Sequence, residues 1–515
     1  MPSWRPNSLR VGPAPRTIPD GIALETGLDG GAAFIPACPA ERLGDPSFCA
    51  DHRLRYPYVA GGMANGIGST DVVAAMAREG MLAFFGSAGL TVAEVEAAID
   101  RIERSLGRSP SAPTFGFNLI HSPQEPALEA AVVDLYLRRG ISLVEASAYL
   151  RLTLPLIRYR VAGIHRDADG RIVAPHRVIA KVSRVEVAER FFSPPPEKFL
   201  RELVSRGEIS EEQARLAEAI PVAQDLTAEA DSGGHTDNQP LVALLPTMLA
   251  LAGEMMARHG YVEPLRVGAA GGIGAPAAAA AAFAMGAAYL LTGSINQACV
   301  EAGTSPTVKA MLAEARQADV AMAPAADMFE MGVRVQVLKR GTMFAPRATR
   351  LYDLYRAHDS LDALPADQRA LLERDVFRAP LDEIWRRTRA FFAERDPAQV
   401  AKAEADPKRK MGLVFRWYLG LSSQWANAGE PTRKVDYQIW CGPAMGAFNQ
   451  WVRGTFLESP EERRVAVLGL NLLWGAAVLQ RVQMLRAQGV VLVGGPGRIG
   501  PIPAVEVRER LRPQA

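Results

Sequence analysis

The chain has 515 residues, a formal net charge of +2, 48% apolar residues and 22% charged residues. The near-neutral balance lacks the basic footprint of a nucleic-acid binder, and the apolar content excludes a disordered chain. The length exceeds the roughly 250–300 residues that one hydrophobic core serves, so a large domain with insertions and a second unit is expected.

Residues 1–55 are predicted to be irregular, with prolines at positions 2, 6, 13, 15, 19, 36, 39 and 46. Arg5 and Arg10 are not followed by an apolar stretch. No secretory signal is read there, and a reducing cytoplasm is the expected compartment. A strand-then-helix rhythm then begins. Apolar runs fall at 58–62, 81–85, 114–120, 141–146, 178–182, 222–229, 265–269 and 288–292, with helix-like segments such as 70–79, 91–106 and 125–139 between them. This order argues for parallel βα units. Eight such units close a (β/α)₈ TIM barrel, and a span of about 240 residues suits one. Periodicity alone leaves an open, doubly wound sheet as the alternative.

The barrel is placed at 56–345, with insertions at about 161–176 and 193–221. The first contains Asp169-Gly170, a hairpin turn signal. The second opens on Ser193 and three prolines, then shows the capping-box pattern Ser210 to Gln213. It reads either as a cap beside the barrel mouth or as a surface excursion. Past Asp319 the strand rhythm stops. Helical spacing at 361–374, 381–394 and 461–488 predicts a helical C-terminal subdomain over 346–490, followed by a tail at 491–515. The stretch 267–292 carries no charge but is mostly alanine and glycine. It is read as strand, glycine turn, helix and strand, and not as a membrane span.

Four cysteines are too few for a disulfide scaffold, and none forms a C-x-x-C pair. Cys38, Cys49 and His52 can be imagined as a metal site; free thiols are the preferred reading, and no metal is expected.

The glycine turns carry more information. Gly271, Gly272 and Gly274 follow the seventh run, and Gly293-Ser294 follows the eighth. Glycine lets backbone N–H groups approach an anion, and Pro276 sits where the next helix should begin. In a barrel, the loops after strands seven and eight frequently form a phosphate site. A dinucleotide fingerprint is absent: after Gly66 and Gly68 the third glycine position holds Asp71. His235 lies in the run ADSGGHTDN directly after the sixth strand, on the same face, with Asp231 and Asp237 able to orient it or to cap turns. Gly61, Gly62, Met63 and Asn65 follow the first run, Asn118 ends the third, and Glu145 and Ser147 end the fourth. Lys181 ends the fifth run inside VIAKVSR. A lysine buried there needs a partner: an anionic ligand, Glu145 or another carboxylate.

These motifs together resemble the superfamily of nitronate monooxygenases and FMN-dependent enoyl reductases. The longer strings VGAAGGIGAP, LLTGSINQACVEAGTS, MAPAADMFEMGVRVQVLKRGTMF and DYQIWCGPAMGAFNQW resemble the PfaD family, trans-acting enoyl reductases of polyketide and polyunsaturated fatty-acid synthases. The resemblance covers roughly residues 50–490. It implies FMN, with its phosphate on Gly271, Gly272, Gly293 and Ser294 and its ring near Gly61, Gly62, Met63 and Asn118. It implies that Lys181 approaches the ring and that His235 acts at the substrate side. NADPH is the implied reductant and an enoyl thioester on an acyl-carrier protein the implied substrate. A homodimer is a candidate assembly. The run Asp-Ser-Gly-Gly-His departs from the Glu-Ala-Gly-Gly-His of the monooxygenases. A nitronate monooxygenase is the first alternative, and a non-catalytic scaffold docked on a synthase is the second.

Overall fold

The computed structural model describes residues 16–18, 21–25, 32–36, 38–108, 112–121, 123, 125–487 and 499–512. Eight strands pair in parallel: Tyr58–Ala60 (β1), Leu82–Phe85 (β2), Gly116–Ile120 (β3), Leu143–Ser147 (β4), Arg177–Val182 (β5), Asp225–Glu229 (β6), Arg266–Ala270 (β7) and Leu290–Thr292 (β8). They close on themselves, with Leu291 of β8 opposite Val59 of β1. The sheet is therefore a barrel, and the open-sheet alternative falls away. Its strands are buried on both faces, which is why they read as continuous apolar runs and not as alternating ones.

The uncharged 267–292 stretch forms β7, a glycine turn, the helix Pro276–Ala284 and β8. Its alanines have a packing reason. The helix Val465–Ala487 lies so close that a Cβ on Gly475 would stand 2.7 Å from Pro276 Cβ. That long helix also packs on Thr70–Arg78, the helix after β1. It thus occupies the slot of the eighth barrel helix, and its apolar residues belong to the same core as the barrel's. The expected helical C-terminal region is present, and it divides between two cores. Residues from Ala323 to Leu419 pack around a separate core, and the chain then returns to complete the barrel. Among the described residues, Leu241–His259 and Val465–Ala487 are long and apolar enough to cross a membrane, and the second is mostly buried in the protein.

Other expectations change. The first 55 residues are not wholly irregular: Arg16–Ile18, Gly21–Glu25 and Ala32–Pro36 form an antiparallel sheet, and Pro46–His52 is a helix. The prolines hid this because Pro36 ends a strand and Pro46 opens a helix, where its missing N–H does no harm. The hairpin at 161–176 is present as His165–Arg166 paired with Ile172–Val173. The helices Glu197–Ser205 and Glu211–Ala217 pack on Leu154–Val161, and no residue of 193–221 lines the barrel-mouth cavities. The capping reading of that insertion is replaced by the surface one. Strands also continue past Asp319: Val320–Pro324 pairs with Arg334–Leu338, which pairs with Gly234–His235. Of the tail, residues 491–498 and 513–515 lie outside the described residues, and Ala504–Arg510 is a helix.

At the N-terminal ends of the strands, the first residues of β6 and β7 meet. Arg266 Nε donates to Asp225 Oδ1 at 2.6 Å, and His52 Nε2 lies 2.8 Å from Asp225 Oδ2. His52 is thus engaged by a carboxylate, and this buried cluster ties the helix Pro46–His52 to the barrel floor.

Candidate active site

A cavity of about 1140 Å³, counting its open mouth, lies at the C-terminal ends of the barrel strands. The structure brings all ten predicted residues to its lining: Gly61, Gly62, Met63, Asn118, Lys181, His235, Gly271, Gly272, Gly293 and Ser294.

The floor is built by register. Asn118 of β3 is the Cα partner of Glu145 of β4. Its Nδ2 donates to Ser147 Oγ at 2.9 Å and to Glu145 Oε2 at 3.2 Å. The Gly62 N–H donates to the same Glu145 Oε2 at 3.0 Å. Glu145 therefore fixes the turn after β1 and the Asn118 amide together. Its own burial is complete, and Oε1 has no hydrogen-bond partner among the described residues. Burial raises the Glu145 pKa, with Lys181 acting against that.

Lys181 finds its partner one strand over. Nζ lies 3.3 Å from Glu229 Oε1 at the end of β6, and Ser232 Oγ donates to that same oxygen at 3.3 Å. Burial disfavours the ammonium, but Glu229 and Glu145 outweigh it and hold the Lys181 pKa above its ordinary value. Lysine is thus charged at the cavity wall, with a carboxylate on either side.

His235 sits on the short strand Gly234–His235. Its Nε2 lies 3.1 Å from Asp327 Oδ1. Burial acts against the charged ring, and Asp327 overcomes it, so the His235 pKa stands above the ordinary histidine value. Asp231 and Asp237 do not orient His235. Asp231 accepts from Asn238 and Gln336, and Asp237 binds Arg184.

The opposite side is a cradle. Gly271 and Gly272 adopt φ of +91° and +72°, and added Cβ atoms on Gly272 and Gly293 would point into open space. Ser294 Oγ accepts the Gly442 N–H at 3.0 Å, so its own proton stays available to an anion. The helix beginning at Pro276 follows directly. These features fit a phosphate.

The strand ends were legible by one rule, and that rule also covers Glu229, which was missed. Asp327 and Trp440 left no such signal. Asp327 follows the unexpected antiparallel strand, and Trp440 lines the cavity from a loop distant in sequence. That loop is locked in place: a Cβ on Gly233 would lie 2.8 Å from Cys441 N, and one on Gly442 would lie 2.7 Å from Gly233 N.

Known proteins share this architecture. The inserted helical domain of acyl-carrier-protein S-malonyltransferase, as a family, matches residues 358–437. A polyunsaturated fatty acid synthase component from Thraustochytrium sp. is 46% identical over 464 residues, which is 89% of this chain and 31% of that protein. Polyketide biosynthesis protein PksE of Bacillus subtilis is 46% identical over 445 residues, 86% of this chain and 57% of that one. The chain thus spans less than two thirds of the length of these relatives. The crystal structure of the enoyl reductase domain of MlnA, from the macrolactin cluster of Bacillus amyloliquefaciens, matches with a TM-score of 0.82 and 41% identity, covering 87% of this chain and 99% of that one. Barrel, site and these likenesses define a TIM-barrel oxidoreductase. Within that class, the chain belongs to the PfaD family of enoyl reductases associated with polyketide and polyunsaturated fatty-acid synthases.

Proposed function

We propose that this protein is an FMN-dependent enoyl reductase that uses NADPH to reduce the α,β-double bond of enoyl thioesters held on acyl-carrier protein. The observation that carries the reading is the gathering of a glycine phosphate cradle, a charged lysine and a charge-prone histidine around one cavity. Bound there, FMN would supply the hydride chemistry, taking a hydride from NADPH and giving it to the β-carbon of the thioester.

The protein's own work is binding, orientation and charge. Gly271, Gly272, Gly293 and Ser294 hold the phosphate. Gly61, Gly62, Met63 and Asn118 support the ring, with the Asn118 amide fixed by Glu145 and Ser147. Lys181 places positive charge where electrons arrive. His235, whose protonated form Asp327 favours, polarises the thioester carbonyl or delivers the proton that the α-carbon needs.

Anaerobic stopped-flow absorbance at the flavin bands tests this. NADPH should bleach the flavin, and crotonyl-carrier protein should restore the colour. Bleaching by a nitronate but not by NADPH would move the protein to the monooxygenases. Failure of the protein to take up FMN at all would leave the scaffold reading.

A further inference from the structure

A second cleft, about 1170 Å³ and open to solvent, adjoins the first. Lys181, Glu229 and His235 line both spaces. The second cleft is therefore a passage from solvent to the reacting end of the cavity. Its walls include Met322, Met328 and Val333, an apolar lining with adaptable side chains.

The rim is unlike ordinary surface. Leu150 is 37% exposed and Met331 52%, and both line the opening; Val185, 37% exposed, lies beside it next to Arg184. Exposed large apolar side chains gathered at one opening mark an interaction site. Between them stand exposed arginines. Arg184 is matched by Asp237, and Arg190 donates to the Leu150 carbonyl. Arg151, next to Leu150, and Arg334, in the cleft wall, have no acidic partner among the described residues. Glu186 is an exposed acid beside the already matched Arg184, and the accessible acids Asp237 and Asp327 are engaged by Arg184 and His235. The rim thus presents apolar contacts with uncompensated positive charge, the complement of an acidic face.

We propose that this mouth is the docking surface for an acidic carrier-protein domain, whose acyl-pantetheine arm passes through the second cleft to His235 and Lys181. The proposal rests on the enoyl-reductase reading and names the partner face that the reading requires. A small free thioester needs the passage but not the charged rim, and that separates the two roles.

The test compares crotonyl-carrier protein with crotonyl-N-acetylcysteamine as substrates of the FMN-loaded protein, wild type and an Arg151→Glu variant at the rim outside the passage. The variant should lose at least about tenfold in kcat/KM on the carrier substrate, mainly through KM. It should change by less than about twofold on the small thioester, and NADPH should bleach its flavin at the wild-type rate. Equal losses on both substrates, no loss on either, or a changed oligomeric mass in place of a changed KM would overturn the docking surface. A wild-type protein whose reduced flavin neither thioester reoxidises would instead overturn the enoyl-reductase reading. Should the variant not fold, the wild-type salt dependence decides. Activity on the carrier substrate should fall steeply as salt rises while activity on the small thioester stays flat; a flat response on both would overturn the proposal.

Discussion

Lys181 Nζ and Glu229 Oε1 lie 3.3 Å apart at the ends of neighbouring barrel strands, and Glu145 acts on the same ammonium from the opposite side. Glu229 and Glu145 thus flank one half-buried lysine and favour its charged form. Lys181→Met removes the cation and leaves buried Glu229 with Ser232 but without its counter-charge. The expected result is a fall of about 10²–10³ in the rate of enoyl reduction, as when a preorganised charge-stabilising group is lost. A spectroelectrochemical titration should also show the flavin potential shifted negative. An unchanged potential would remove Lys181 from the ring environment.

His235 and Asp327 give a pH prediction. Burial alone would lower the His235 pKa, but Asp327 holds it above the ordinary value of about 6.5. The protonated ring therefore persists to higher pH, and a step that needs it loses rate only as pH rises through the raised pKa. Asp327→Asn takes away the charge that raises it. The alkaline limb of kcat/KM should then move to lower pH, towards or below about 6.5. An alkaline limb that stays put in the variant would mean that another group titrates there.

The phosphate cradle offers one glycine outside the left-handed region. Gly293 has an added Cβ facing open space and no left-handed φ, whereas Gly272 has φ +72°. Gly293→Val therefore tests the cradle, while Gly272→Val would mix cradle and backbone effects. For Gly293→Val, FMN affinity measured by fluorescence quenching should fall at least about tenfold, while the flavin-free protein stays folded and loses no more than about 2 kcal/mol of stability at this helix N-cap. Full affinity in the variant would place the phosphate elsewhere.

How much of this was legible in sequence follows from where each signal comes from. The eight strands could be read because a parallel barrel buries both faces of every strand, so local apolarity suffices. Asn118, Lys181 and Glu145 could be read because a polar residue at the end of such a strand stands out from its neighbours. Val465–Ala487 could be read as a helix but not as the barrel's eighth, because that role depends on packing against Pro276–Ala284 nearly 200 positions away. Asp327 was invisible for a related reason. It reaches His235 only because Val320–Pro324 and Arg334–Leu338 pair across a turn and carry Gly234–His235 as a third strand. Antiparallel pairing of short segments between long helical stretches leaves little periodicity to read. The role of Cys441 and Gly442, wedged against Gly233, likewise exists only in three dimensions.

The barrel floor yields a stability prediction independent of any cofactor. Asp225 is buried with Arg266 and His52 as partners. Burial works against its charge, but His52 and Arg266 overcome that and hold its pKa well below the usual carboxylate range. A carboxylate with a depressed folded-state pKa contributes stability that is fully present above its unfolded value of about 3.9 and is lost as pH falls. Asp225→Asn should therefore destabilise the fold at neutral pH, by about 1.5–3 kcal/mol, because buried Arg266 loses its bidentate carboxylate and keeps only Asp51 as a counter-charge. The difference between wild type and variant should shrink as pH falls below about 4. Urea unfolding at several pH values, read at constant slope, measures both effects. A gap between the two proteins that stays constant down to pH of about 2 would mean that the contribution is steric packing and not charge.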